Sequence, residues 1–228
     1  MPDLKNISKE TNPKYIFNFS SNVPWNKMWK RSFILENKLS FKPIKQTNDV
    51  YFSMMSYFHA KKITVLKKKL IDYRVNNSSS LTGKASDTYF CAYETYLDAF
   101  HDLRNHPDFV GEVKKSFQNK VMTGMVVEFK NQTNVNSFMK LYERVQKNLA
   151  IDFEIDFNEF EYYSKSEKEL MQNVLSLDPD QFLLLNWAKS TRQNRNKFKN
   201  PIYQIYYSIY YSEFYHLYCF LKKLFIKR

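Results

Sequence analysis

The chain has 228 residues, enough for one well-buried core or one small domain with an appendage. Its formal net charge of +12 favours anionic partners: nucleic acid, an anionic membrane surface or phosphorylated substrates. Only 3 glycines occur, and no GxGxxG or P-loop pattern is present, which excludes a complete nucleotide-binding motif of either type.

Residues 1–14 are polar and mixed in charge, so they read as a flexible arm with no signal peptide. Tyr15 to Phe19 alternates like a short strand, and Val23-Pro24 breaks the chain. Leu39 to Phe41 fits another short strand. Asp49 opens a helix through His59, with Val50, Met54, Met55 and Phe58 on one face. Asn48 and Asp49 both suit a helix N-terminus, where the positive dipole end lowers a carboxylate's pKa. Ile63 to Leu66 and Leu70 to Val75 read as strands, followed by a polar loop from Asn76 to Gly83.

Beyond Gly83 the pattern turns helical. One helix starts at Ser86 or Asp87 and runs to Arg104, before His106-Pro107. Others span Phe109 to Phe129 and Asn134 to Leu149. Ile151 to Phe157 alternates apolar and acidic residues, as a half-buried strand does. Asp178-Pro179-Asp180-Gln181 is a helix start, with Asp178 as cap and Gln181 completing the box. Pro201 opens a last helix rich in tyrosine and ending in Lys222, Lys223, Lys227 and Arg228. Residues 202–228 thus suit a membrane interface or a partner groove, and equally a partly buried helix. Cys91 and Cys219 lack a CxxC spacing and read as free thiols of a reducing compartment. No HExxH zinc pattern occurs, and no apolar run is long enough for a membrane span. These features point to a cytoplasmic protein, peripheral at the inner membrane face.

One ordered pattern runs from Trp25 to Thr82. It comprises Asn26-Lys27, Trp29, Lys30, Asn37 and Phe41, then Asn48-Asp49 with Val50-Tyr51-Phe52. Ala60-Lys61-Lys62-Ile63 follows, and then Tyr73-Arg74 with Ser80 and Thr82. In order and spacing this resembles the second half of the catalytic domain of bacterial family-2 glycosyltransferases. The resemblance implies an α/β fold, a partial GT-A sandwich comprising the acceptor-side half. Residues 15–83 would form it, and a mainly α-helical extension would occupy residues 84–228. It assigns Asp49 as the general base that takes the acceptor hydroxyl's proton as the oxygen attacks the anomeric carbon. Asn48 stands where the family commonly has Glu. Arg74 would offset the charge of the departing nucleoside diphosphate, with Ser80 and Thr82 as hydroxyl donors. Trp25, Asn26 and Lys27 would bound the substrate pocket. From the residues alone, Asp49 serves equally as a helix cap, Arg74 as a surface residue, Trp25 as a boundary aromatic and NNSSSLTG as a solvated loop.

The family's first half supplies the nucleotide pocket and an Asp-x-Asp motif for manganese or magnesium, and this chain has no room for it before Trp25. No cofactor is therefore expected within this chain. The later acidic pairs Asp152/Glu154, Glu154/Asp156 and Asp178/Asp180 read as a strand's wet face and a helix start. The expected function is an inverting, nucleotide-sugar-dependent transferase fragment or split subunit, inactive alone. It would act on a hexose-like donor and a cell-surface or lipid-linked glycan acceptor, without nucleic acid. The alternatives are a nonenzymatic basic helical protein on anionic membrane or nucleic acid, and an assembly subunit in polysaccharide synthesis.

Overall fold

The computed structural model describes residues 6–66, 68–72, 88–132 and 134–197, the side chains of 187 and 190–197 excepted. Residues up to Leu177 form one compact unit and residues from Asp178 onward another. Of the described residues 57% are helical and 1% strand, and they form no sheet. The expected α/β sandwich is therefore replaced by helices: α1 (Arg31–Glu36), α2 (Asn48–His59), α3 (Cys91–Leu103), α4 (Gly111–Asn131), α5 (Val135–Asp152), α6 (Lys165–Ser176) and α7 (Pro179–Lys197). A 3-10 turn at Pro13–Tyr15 precedes them.

Each expected strand fails for a local reason. Ile16 and Phe17 are both fully buried, which successive residues of a half-buried strand are not. The chain there coils instead, with the Phe19 N–H donating to Tyr15 O at 2.9 Å. Leu39 closes α1: its N–H donates to Ile34 O at 3.0 Å, and Lys38 takes the left-handed conformation at φ 50°. Ile151 to Phe157 ends α5 in the same way. Ile155 N–H donates to Ala150 O at 2.8 Å, Glu154 N–H to Ile151 O at 3.3 Å, and Glu154 sits at φ 51°. Phe153 and Ile155 are buried by this turn, so their alternation mimics a strand's. Of the two strands expected after Ala60, Ile63 alone among the described residues pairs, in an isolated antiparallel bridge to Ile7. Residues 64–66 and 68–72 have no regular structure, and 73–75 lie outside the described residues.

The helical expectations fare better. Helix α2 begins at Asn48, after Thr47 at φ 61°. Asn134 caps α5, its side-chain oxygen accepting from the N–H groups of Asn136 and Ser137. The box at α7 is reciprocal: Gln181 N–H donates to Asp178 Oδ1 at 2.8 Å, and Asp178 N–H to Gln181 Oε1 at 3.2 Å. Helix α3 begins at Cys91, later than expected, and the caps read at Ser86 and Asp87 lie outside the described residues. Helix α6 was not expected. Its apolar face is thin, with Met171 and Val174 as its buried residues, yet Ser164 and Glu167 carry the capping signature that marks it.

Helix α4 is the central strut. It packs against the 3-10 turn, α3, α5 and α6, while α2 packs on α3. Phe117 on α4 is fully buried and meets Phe17 and Phe109 edge-on, each at 5.3 Å, and Phe100 at 5.9 Å. Phe100 in turn meets Phe153 at 5.7 Å, and Phe58 reaches Phe109 at 6.1 Å. Farther along α4, Gly124 admits the buried ring of Tyr96: a Cβ there would lie 2.8 Å from the Tyr96 hydroxyl. Gly124→Ala is expected to lower stability by about 1–3 kcal/mol despite alanine's better helix propensity, because a packed ring cannot retreat. Chemical denaturation checks this. In a Tyr96→Leu background the same substitution should cost nothing further, the coupling that a double-mutant cycle reads.

Candidate functional site

The Trp25–Lys27 segment sits on an irregular loop held by side chains rather than by a sheet. Four consecutive carbonyls of this loop accept side-chain donors. Lys120 Nζ donates to Ser20 O at 2.9 Å and Tyr57 Oη to Ser21 O at 2.6 Å. Ser53 Oγ donates to Asn22 O at 2.5 Å and Lys27 Nζ to Val23 O at 2.6 Å. Lys27 Nζ also reaches Ser21 O and Asn26 Oδ1, both at 2.7 Å. Asn22 Nδ2 donates to Tyr96 Oη at 3.3 Å. Trp29 anchors the far end of the loop, edge-on to Phe52 at 5.0 Å, and Phe41 stacks on the same ring at 4.4 Å.

Asp49 is the second residue of α2 and half-buried, with its own N–H and that of Val50 near its carboxylate. The helix dipole alone would lower its pKa. Burial instead dominates and raises it, against the pull of those two N–H groups and of the Lys27 ammonium. Lys27 is brought down to about 8 by burial, opposed by Asp49. Lys27 thus bonds Asn26 within the loop, and its charge acts on Asp49. Trp25 is 46% exposed at its rim, and Asn26 and Asn48 are exposed. Arg74, Ser80 and Thr82 lie outside the described residues.

Sequence reasoning missed the support behind this loop. Lys120, Gly124 and Glu128 lie four residues apart, on one face of α4. Lys120 is 9% exposed, and burial beside Lys27 lowers its pKa to about 8. Burial raises Glu128 to about 7. The signal that could have found them is a lysine and a glutamate that flank the mostly apolar run from Val121 to Val127.

The divalent metal that the resemblance implies has no fitting ligand set: among the described residues no three His, Cys, Asp or Glu side chains converge. Asp152 accepts from Tyr93 Oη at 2.7 Å and pairs with Arg144 at 3.3 Å, and Glu154 pairs with Lys114. Among the described residues no helix is long and apolar enough to cross a membrane.

Comparison with known proteins gives a distant, partial likeness. The chain is 25% identical over 128 residues to the Bacillus subtilis (strain 168) protein named "Putative glycosyltransferase EpsH". The matched stretch covers 54% of this chain and 36% of EpsH, so the chain spans about a third of that relative's length. No family model matches the chain. No solved structure matches it.

The buried ionisable groups set the pH dependence of stability. As pH rises from 4.5 towards 7, the unfolded chain loses its Glu128 proton while the native state holds it, so stability falls. Between 8 and 10.5 native Lys27 and Lys120 release protons that the unfolded chain keeps, so stability rises. Urea denaturation between pH 5 and 9.5 is expected to show a minimum near pH 7–8. Lys120→Met should remove roughly half of the alkaline rise, and Glu128→Gln the acidic decline.

Proposed function

We propose that this chain contributes the acceptor side of an inverting, nucleotide-sugar-dependent glycosyltransferase, with Asp49 as the general base. A hexose-like sugar would pass to a cell-surface or lipid-linked glycan. The observation that carries the reading is the half-buried Asp49 carboxylate at the start of α2, within reach of the Lys27 charge and within the ordered Trp25–Thr82 pattern. The likeness to EpsH supports the same class.

The residues suit the chemistry in a definite way. Desolvation raises the carboxylate's proton affinity and makes it a stronger base than an exposed aspartate, opposed by the neighbouring backbone N–H groups and by the Lys27 charge. The clasped loop holds Lys27 in place, and Trp25 offers an indole face at the rim on which a sugar can rest. Donor diphosphate binding needs groups beyond those described, and no step is assigned to a metal.

One observation favours a second reading. The described residues form no sheet, and this suits a helical subunit that binds a glycan or a partner in polysaccharide synthesis without performing transfer.

The test measures transfer of labelled sugar from a panel of nucleotide sugars to glycolipid extracts, in cells producing the chain in its native genetic context. Asp49→Asn is expected to lower kcat by at least about 10²-fold with little change in KM, because it removes proton abstraction and keeps the shape. Undiminished transfer by that variant removes Asp49 as the base. Glycan binding without transfer by the unsubstituted protein supports the helical subunit instead.

A further inference from the structure

Residues 60–72, AKKITVLKKKLID, leave α2 and carry five lysines, with no acidic residue before Asp72. Ile63 makes the only strand pairing among the described residues, through its bridge to Ile7. The rest of the described segment is open: Val65 is 36% exposed, Leu66 64%, Leu70 72% and Ile71 49%. Lys61, Lys62, Lys68 and Lys69 are exposed beside them. Four exposed aliphatic side chains within seven residues are a cost that a monomer's surface ordinarily avoids, and such a concentration points to an interaction site.

We propose that the described residues 61–66 and 68–71 dock this protein on an anionic phospholipid surface. The aliphatic chains would enter the acyl boundary while the lysine stems let their ammonium groups stay at the phosphates. Charge selects this occupant. A second copy pairing edge to edge would set the exposed Lys61, Lys62, Lys68 and Lys69 of each copy, eight lysines, side by side, the arrangement by which exposed strands are kept from associating. Single-stranded nucleic acid binds through basic grooves with aromatic stacking platforms, and no aromatic residue lies between His59 and Tyr73. An anionic bilayer answers both the positive charge and the aliphatic surface.

The experiment measures partition of the full 228-residue chain onto vesicles of phosphatidylcholine with and without phosphatidylglycerol, by flotation. Binding is expected only with the anionic lipid and should weaken as salt rises. Each lysine contributes about five-fold, so Lys61→Gln/Lys62→Gln/Lys68→Gln/Lys69→Gln should weaken partition by at least about 10²-fold. Leu66→Ser/Leu70→Ser should weaken it about ten-fold or more. All six positions are exposed, so unchanged circular dichroism and melting temperature confirm that the variants fold. Absence of anionic-vesicle binding overturns the proposal. So does equal partition of all variants, which would move the contact to another basic segment. Loss with the lysine variant alone, matched by lysine-dependent oligonucleotide binding, would identify a general polyanion site and also overturn it.

Discussion

Everything in the first unit hangs on the middle of α4, from Ser116 to Lys120. Phe117 points into the aromatic core, and its polar neighbours reach outward to irregular backbone. Ser116 Oγ accepts from the Phe17 N–H at 3.2 Å and from Asn18 Nδ2 at 3.0 Å. Gln118 Nε2 donates to the carbonyls of Phe153 and Glu154, both at 3.0 Å. Asn119 donates to Glu161 O at 3.0 Å and accepts from Tyr163 N–H at 2.9 Å. Lys120 takes Ser20 O. A fold without a sheet must still satisfy the buried backbone of its loops, and here one helical turn does so for three of them. The same side chains are buried, so each would be costly without its partner.

The loop that carries Trp25, Asn26 and Lys27 inherits its position from that arrangement. Two lysines are drawn into a partly dry environment because backbone carbonyls there need donors. Their charge is held at neutral pH by those carbonyls and, for Lys27, by Asp49, at the expense of desolvation. Burial raises the Asp49 carboxyl against the pull of that same Lys27 charge.

Part of this was legible in the residues. The order Asn26-Lys27, Asn48-Asp49 was readable because it is local, and in the structure the charge of Lys27 acts on Asp49. Lys120, Tyr57, Tyr96 and Glu128 were not, since nothing in a helical period says that a lysine will turn inward to meet a carbonyl 100 residues earlier. The direction of the Asp49 shift was lost for the same reason: the helix dipole is a local term, and burial is not.

By itself the sequence determined the helices with strong local signals: α2 with its one-face spacing, α5 with its Asn134 cap, α7 with its Asp178–Gln181 box. These are set by contacts within a few residues, which a linear reading captures. Whether alternating residues became strands was decided only in three dimensions. IDFEIDF and YIFNF alternate as strands do, yet a strand exists only where another backbone offers hydrogen bonds. Here turns bury Phe153, Ile155, Ile16 and Phe17 against α4 and its neighbours instead.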